Sequence, residues 1–187
     1  MGKEGMIIEP THWFWESEIP PSVCNVIISE GLRGGIAAAV VDTDNPKVNE
    51  DIRLSRTAFL EPSKHAWLSA IAWHYMSQAN KQAWNFAITG QEVPQFTVYD
   101  VDDFYDYHQD SSRHKDGMRK LSLVITLNDD YGGGDFQFEG YKREEQPLIK
   151  PRGSVMVFPS ALRHRVAPVT FGTRYSLVNW FTGPKFV

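Results

Sequence analysis

The N-terminal half of the chain carries apolar residues at helical spacing. The clearest stretch covers residues 62–83, where the apolar positions fall on one face of a helix and predict a buried stripe. His74 lies on this helix, and we interpret it as a structural residue rather than a ligand. A shorter helix is predicted from Ile19 to Leu32, because the prolines that follow Ile19 are tolerated in a first helical turn. The buried stripe consists of Trp67, Leu68, Ile71, Tyr75 and Ala79.

From Trp84 onward, the pattern changes to short apolar runs separated by glycine, proline and acidic turns. Such runs are typical of β-strands. About eight strands without a helical period indicate a sandwich or a barrel. The clearest runs cover residues 95–101, 121–127, 135–140, 154–159 and 174–181, and further short strands are predicted at 12–15, 36–41 and 53–60.

The sequence contains no internal repeat, linker or low-complexity segment. We therefore predict one domain over residues 1–187, in which a helical half, residues 1–90, supports a β core, residues 91–187. The fold class expected from this order is mainly β with supporting helices. With 42% hydrophobic residues, the chain can bury a substantial core.

Composition and charge argue against some classes of partner and indicate a cellular compartment. The formal net charge is −4, and the Lys and Arg residues are scattered, which argues against a nucleic-acid partner. No window approaches the ~20 apolar residues that span a bilayer, so no membrane partner is expected. The single cysteine, Cys24, fits a reducing compartment, and we predict a cytoplasmic protein. The sequence indicates no particular oligomeric state.

The segment from residue 99 to residue 110 contains five aspartates and one histidine. Residues i and i+2 of a strand point to the same face, so His108 and Asp110 can direct an imidazole and a carboxylate at one metal ion. Two histidines and one carboxylate form the facial triad of non-haem Fe(II) oxygenases, which leaves positions open for co-substrate and oxygen. The other aspartates have no histidine at this spacing, and we interpret them as a hydrated turn: Asp100, Asp102, Asp103 and Asp106.

A second His-x-Asp pair shows that this pattern alone is a weak signal. His114 and Asp116 lie in a polar segment, where the Asp116-Gly117 pair predicts a turn. Because a turn does not orient both side chains to one face, we interpret this pair as part of a solvated loop. A metal site therefore needs a third ligand from another segment.

The segment from residue 159 to residue 181 supplies a third ligand and a cation. His164 lies near the start of a predicted strand, Gly172 marks a turn, and Arg174 begins the next strand. A hairpin between these strands could place the guanidinium a small dicarboxylate's length from the metal. A planar guanidinium binds a carboxylate bidentately. The pattern predicts a metal site and an anion site in one cavity.

Five segments occur in a fixed order along the C-terminal half: His108-x-Asp110, residues 131–138, residues 153–160, residues 164–169 and Gly172-x-Arg174. In this order they resemble the catalytic domain of the Fe(II)/2-oxoglutarate-dependent dioxygenases, most closely the prolyl 4-hydroxylase branch. The N-terminal part resembles this branch more loosely. The resemblance implies a double-stranded β-helix, or jelly-roll, core that is buttressed by the N-terminal helices.

The resemblance also implies roles for seven residues. The implied iron ligands are His108, Asp110 and His164. The implied co-substrate contacts are Arg174, Tyr99 and Thr126, and the implied substrate contact is Trp180. Thr126 stands where relatives place a tyrosine, and its hydroxyl is shorter. Tyr99 and Trp180 could alternatively be ordinary aromatic residues of a sandwich core.

The chemistry implied by the resemblance requires Fe(II), 2-oxoglutarate and O2, with ascorbate as an accessory reductant. 2-Oxoglutarate is converted to succinate and CO2 while an unactivated C–H bond is hydroxylated. Asp110 favours hydroxylation, since halogenating relatives lack this carboxylate. The implied substrate is a prolyl residue in a peptide or protein. The alternatives are a free amino acid or other small molecule as substrate, and a non-catalytic, cupin-like metal-binding sandwich.

Overall fold

The structure is a computed structural model that describes residues 10–40, 48–111, 113–114, 117–142, 147 and 149–185. Two helices, α1 (Pro21–Arg33) and α2 (Pro62–Ala83), both begin at a proline, whose fixed φ suits a first turn. The strands are β1 (Trp13–Trp15), β2 (Ala37–Ala38), β3 (Arg53–Leu54), β4 (Arg56–Phe59), β5 (Gly90–Gln91), β6 (Gln95–Tyr99), β7 (Phe104–His108), β8 (Arg113–His114), β9 (Gly117–Thr126), β10 (Gly132–Gly133), β11 (Phe136–Phe138), β12 (Val155–Pro159), β13 (His164–Val166), β14 (Val169–Phe171) and β15 (Arg174–Gly183).

The strands form two main antiparallel sheets. The larger sheet has the order β1-β12-β9-β15-β6-β4-β2, with β5 paired to β15 and β8 paired to β9. The smaller sheet has the order β11-β13-β7-β3, and β10 pairs separately with β14. The long strands β9 and β15 lie at the centre of the larger sheet, where they support the inner face that lines the site.

Alternation along β9 divides the core into two layers. Leu123 and Ile125 point to the outer face of the larger sheet, where they join Ile27 of α1 and Leu68 of α2 in one hydrophobic cluster. The residue between them, Val124, points to the inner face. There it belongs to a second cluster that contains residues of both sheets, including Phe136, Met156 and Val166.

Helix α2 buries a slightly different face from the predicted one. Leu68 and Ala79 are fully buried as predicted, but Trp67 is 36% exposed. Ala72 and Met76 complete the buried stripe instead. A core face of small and flexible side chains lets this helix lie close to the outer face of the sheet.

The predicted hairpin between the strands of His164 and Arg174 is wrong. β13 lies in the smaller sheet between β7 and β11, whereas β15 lies in the larger sheet between β6 and β9. Strand β14 intervenes and pairs with β10. Arg174 therefore reaches the site from the opposite sheet, because strand pairing depends on distant segments that local spacing does not reveal.

The predicted hydrated turn is present at Asp100 and Asp103. The predictions of a turn at Asp106 and of a loop at His114 are wrong. The backbone N–H of Asp100 donates to Asp103 in a turn, and Asp100 also pairs with Arg56. Asp106 is exposed but lies within β7 rather than in the turn. His114 lies in β8, not in a loop, because residues 113–114 pair with β9. The second half of that His-x-Asp pair, Asp116, is outside the described residues.

Within the described residues, no helix is long and apolar enough to cross a membrane. The strand predicted at residues 36–41 is confined to Ala37–Ala38, with residue 41 outside the described part. The division into a supporting half and a β core within one domain stays a prediction.

Candidate metal centre

Three potential metal ligands meet at the end of the smaller sheet. His108 is the last residue of β7, Asp110 follows two residues later, and His164 is the first residue of β13. His108 and His164 lie directly opposite each other in the β7–β13 pair. One ligand atom from each of the three residues lies within 4.8 Å of the others. The sequence-predicted triad is thus brought together.

The two imidazoles present the same ring nitrogen to the centre. The Nδ1 atom of His108 lies 2.8 Å from the carbonyl oxygen of Asp106, and that of His164 lies 2.9 Å from the carbonyl oxygen of Leu162. A carbonyl only accepts, so each Nδ1 carries a proton and each Nε2 is the ring nitrogen that faces the centre. These Nε2 atoms lie 3.5 Å and 3.6 Å from the carboxylate of Asp110.

The carboxylate of Asp110 is held ionised in a buried setting. Burial acts to raise the pKa of Asp110, but the nearby imidazoles of His164 and His108 and the hydroxyl of Ser122 outweigh it and lower that pKa. The Ser122 hydroxyl donates to Oδ2 at 2.7 Å and lies 2.9 Å from the Ser160 hydroxyl. This hydrogen bond from Ser122 fixes the orientation of the Asp110 carboxylate.

The imidazole of His164 is kept neutral. Burial lowers the pKa of His164 to about 4, and the ring stacks on Phe136 at a centroid distance of 5.1 Å. On the other side of the centre, Tyr105 stacks on His108 at 3.5 Å. Two imidazoles and one carboxylate are the donor set of the Fe(II) facial triad, so these residues fit a bound Fe(II) ion.

A buried guanidinium lies in the same cavity. Arg174 is the first residue of β15, is 2% exposed and lies opposite Tyr99 of β6. Its Nη1 donates to the Ser176 hydroxyl at 3.1 Å, and its Nε is buried with no hydrogen-bond partner in the described part of the chain. A buried charge without a carboxylate partner is costly, so this residue fits an anionic ligand such as a carboxylate.

Gly134 provides the space that Arg174 occupies. Its backbone has φ +62°, and a Cβ atom there would lie 3.0 Å from Cδ of Arg174. A glycine is required for both reasons, since other residues rarely adopt this φ and would press on the arginine. The glycine run before β11 therefore belongs to the anion site.

One cavity of about 280 Å³ connects the triad with Arg174. Tyr99 and Trp180 both line it. Thr126 does not line it: its hydroxyl donates to the carbonyl of Ile149 at 2.5 Å. The second contact expected from Thr126 is therefore replaced by Ser176 as the hydroxyl beside the guanidinium.

The cavity is also lined by residues that the sequence did not reveal as site residues, among them Arg53, Tyr105 and Arg119. Even-numbered residues of β9 face the cavity near Val124, so Arg119 is expected to face outward. A β-bulge between residues 119 and 121 changes this alternation and turns Arg119 inward. The bulge has no local signal in the sequence, whereas Arg53 could have been found from its alternation with Ser55 in a predicted strand.

Glu92 holds the inward-facing Arg119. Two hydrogen bonds of 2.6 Å join the guanidinium of Arg119 to the carboxylate of Glu92. The same guanidinium lies 3.9 Å from the ring centroid of Trp180. The indole Nε1 of Trp180 is buried and has no hydrogen-bond partner in the described residues. Trp180 and the ion pair of Arg119 with Glu92 thus form one packed wall of the cavity.

Comparison with known proteins identifies the family. Residues 94–182 match the family model of the 2OG-Fe(II) oxygenase superfamily. Over this region, the chain is similar to the 2OG-Fe(II) oxygenase superfamily. The match contains the triad and Arg174, and the superfamily's chemistry uses Fe(II), 2-oxoglutarate and O2, as predicted.

Relatives in this superfamily include PKHD-type hydroxylases. The protein from Synechococcus sp. (strain CC9311) is 36% identical over 78 residues, which is 41% of this chain and 35% of that protein. The protein from Gloeothece citriformis (strain PCC 7424) is 35% identical over 89 residues, or 46% of this chain and 40% of that protein. The chain thus spans well under half the length of these curated relatives.

Solved structures establish the fold. A prolyl-4-hydroxylase of Pseudomonas putida has a TM-score of 0.73 and 22% identity, with 94% of each chain covered. A prolyl hydroxylase of Trichoplax adhaerens, in complex with a hypoxia inducible factor peptide, has a TM-score of 0.73 and 20% identity, with 91% of this chain and 83% of that one covered. The predicted mainly β fold, a double-stranded β-helix with supporting helices, is confirmed.

Proposed function

We propose that this protein is an Fe(II)- and 2-oxoglutarate-dependent dioxygenase that hydroxylates a prolyl residue, at C4, in a peptide or protein. The observation that carries this proposal is the meeting of the triad with the unpaired guanidinium of Arg174 in one cavity. A metal-binding sandwich without turnover gives no reason for that guanidinium to be buried there.

His108, Asp110 and His164 would hold the Fe(II) ion. When bound, the ion supplies the activation of O2 and the oxidation of a C–H bond, coupled to conversion of 2-oxoglutarate to succinate and CO2. Three protein ligands leave the other positions free for co-substrate and oxygen. The Nδ1 hydrogen bonds fix both imidazoles, so the ligands are oriented before the metal binds.

Arg174 would bind the distal carboxylate of 2-oxoglutarate. Its planar guanidinium suits a carboxylate, and Ser176 holds one of its nitrogens in place. Tyr99 lies against the guanidinium, 5.4 Å from ring centroid to Cζ, and forms part of the wall. Apolar lining residues such as Val124 and Val178 exclude water from this part of the cavity.

The other end of the cavity would bind the substrate. Trp180 would form one wall of this end, and Arg119 supports the indole face. Burial raises the pKa of Tyr105 to about 12, so its hydroxyl is a neutral hydrogen-bond donor or acceptor. The prolyl hydroxylases with this fold support a prolyl residue as the substrate.

The decisive experiment supplies Fe(II), 2-oxoglutarate and ascorbate anaerobically, then O2, with a panel of proline-containing peptides and free L-proline. We expect succinate formation and a mass gain of one oxygen on a peptide. Oxygen gain on free L-proline alone would favour the small-molecule alternative. Metal binding without any succinate would support the cupin-like alternative.

Asp110→Gly tests the ligand assignment in this experiment, and Asp106→Gly is its matched control. Loss of the only carboxylate of the triad is expected to abolish hydroxylation, because the remaining imidazoles do not complete the facial set. Asp106→Gly removes an exposed carboxylate from strand β7, four residues before Asp110, and should retain activity. Full turnover by Asp110→Gly would show that the ligand assignment is wrong.

A further inference from the structure

Arg53 is a second buried guanidinium without a carboxylate partner. It is the first residue of β3, is 7% exposed and lines the cavity. Its Nε donates to the Ser55 hydroxyl at 2.8 Å, and its Cζ lies 4.5 Å from the ring centroid of Tyr105. Among the described residues, these are the only polar and ring partners of its guanidinium, and no carboxylate lies within ion-pair distance of it.

The other charges of the cavity are already balanced. Arg119 is neutralised by Glu92, whose carboxylate accepts two hydrogen bonds from the guanidinium. In the proposed complex, the two positive charges of Fe(II) and the charge of Arg174 offset Asp110 and the two carboxylates of 2-oxoglutarate. Among the charged lining residues that the structure describes, Arg53 is the one left uncompensated, and the interior of a protein disfavours an unpaired charge.

We propose that Arg53 binds a carboxylate of the substrate. The inference rests on the proposed function and deepens it, since it requires an acidic group close to the hydroxylated carbon. Tyr105 lies between Arg53 and His108, with its ring centroid 4.5 Å from the guanidinium carbon and 3.5 Å from the imidazole centroid. The guanidinium is therefore no more than about 8 Å from a metal ligand.

A carboxylate suits this position better than a neutral carbonyl. Hydrogen bonds between two charged groups are about twice as strong as neutral ones, and a guanidinium can make two of them to one carboxylate. Ser55 takes up the Nε hydrogen, which leaves the two terminal nitrogens for the ligand. The carboxylate can belong to an acidic side chain beside the target residue, to a peptide C-terminus or to a free amino acid.

Equilibrium binding of matched acids and amides tests this inference. The protein is loaded anaerobically with Fe(II) and saturating 2-oxoglutarate and titrated by calorimetry. One arm compares capped proline peptides that carry Asp or Asn on either side of the proline. A second arm compares the same peptide with a free or an amidated C-terminus, and a third compares L-proline with L-prolinamide. The arm that shows the preference identifies the source of the carboxylate.

In at least one arm, we expect the acid to bind at least about tenfold more tightly than its amide. This preference should disappear in Arg53→Gln, be partly retained in Arg53→Lys and weaken as salt is added. Arg56→Gln, which removes an exposed guanidinium three residues away, is the matched control and should keep the preference. Thermal melts of the variants show whether the fold is retained.

The inference is overturned if no acid binds better than its amide in the unaltered protein, or if Arg53→Gln keeps the full preference. Neither result touches the proposed function, which is judged separately by Fe(II)-dependent formation of succinate from 2-oxoglutarate. Loss of succinate formation with an intact acid preference would instead remove the oxygenase assignment and leave an anion site.

Discussion

At the residue scale, Ser122 shows how a side chain outside the triad prepares the metal centre. Its hydroxyl is fully buried and donates to the Asp110 carboxylate. We predict that Ser122→Ala lowers metal affinity about 10- to 100-fold, because the carboxylate loses the partner that orients it. Equilibrium metal titration measures this effect. Ser154→Ala, at another buried serine, is the control, and equal affinities for both variants would contradict the prediction.

Protonation of His164 makes the stability of the metal-free protein depend on pH. Its pKa is about 4 in the folded protein and near 6.5 in an unfolded chain. Between these values the unfolded chain binds the proton and the folded protein does not, so stability falls as pH falls from about 6.5 to 4. The loss is at most about 3 kcal/mol.

Urea unfolding at several pH values measures this loss. His164→Gln should flatten the dependence over this range, whereas His74→Gln, at an exposed histidine, should leave it unchanged. An unchanged slope in His164→Gln would show that other groups cause the acid sensitivity.

Single residues also show what the sequence could predict. His108, Asp110, His164 and Arg174 were found because their residue types and order carry the chemistry. Arg119 was not found, because its direction depends on a bulge that is defined by pairing with β15. Thr126 was assigned to the cavity by position, but its hydroxyl is taken by a carbonyl from a distant segment.

At the element scale, helix α2 supports the outer face of the sheet that carries Arg174. Leu68 is fully buried, whereas Trp67 is partly exposed although it is larger. We predict that Leu68→Ala lowers the free energy of unfolding by about 2–5 kcal/mol, because it leaves a cavity. Trp67→Ala should cost clearly less. Denaturant unfolding measures both, and a larger loss for Trp67→Ala would contradict the observed orientation of the helix.

The turn between β10 and β11 controls the anion site through Gly134. We predict that Gly134→Ala weakens 2-oxoglutarate binding, since the new Cβ atom presses on Arg174, while metal affinity is retained. Gly140→Ala is a matched control, because Gly140 also has a positive φ but a Cβ there meets no atom within 4 Å. Calorimetric titration distinguishes them, and similar losses in both would assign the effect to backbone strain alone.

Elements with local signals were predicted well. Both helices were found within about two residues, since helical periodicity and the flanking prolines are local features. Sheet membership was not, because β13 and β15 are close in sequence but pair with strands far along the chain. The spacing of His164 and Arg174 thus indicated the right site, although the predicted hairpin between their strands is wrong.

At the scale of the whole molecule, the site joins the two sheets. The triad lies on the smaller sheet and Arg174 on the larger one, so 2-oxoglutarate would bridge the two layers. A ligand that binds only the folded state, at a free concentration of 100 times its Kd, adds about 2.7 kcal/mol to the free energy of unfolding. The sequence predicted a shared cavity for the metal and the anion, but not that two sheets form it, because separate strands do not reveal which sheets face each other.

The most direct test of this account is anaerobic titration of 2-oxoglutarate into the protein with and without Fe(II). We predict one 2-oxoglutarate bound per chain only when Fe(II) is present, lost in His164→Ala and weakened at least about thirtyfold in Arg174→Gln, as expected for removal of a buried charge partner. Binding that is equally tight without the metal, or unchanged in both variants, would contradict the assignment of this cavity.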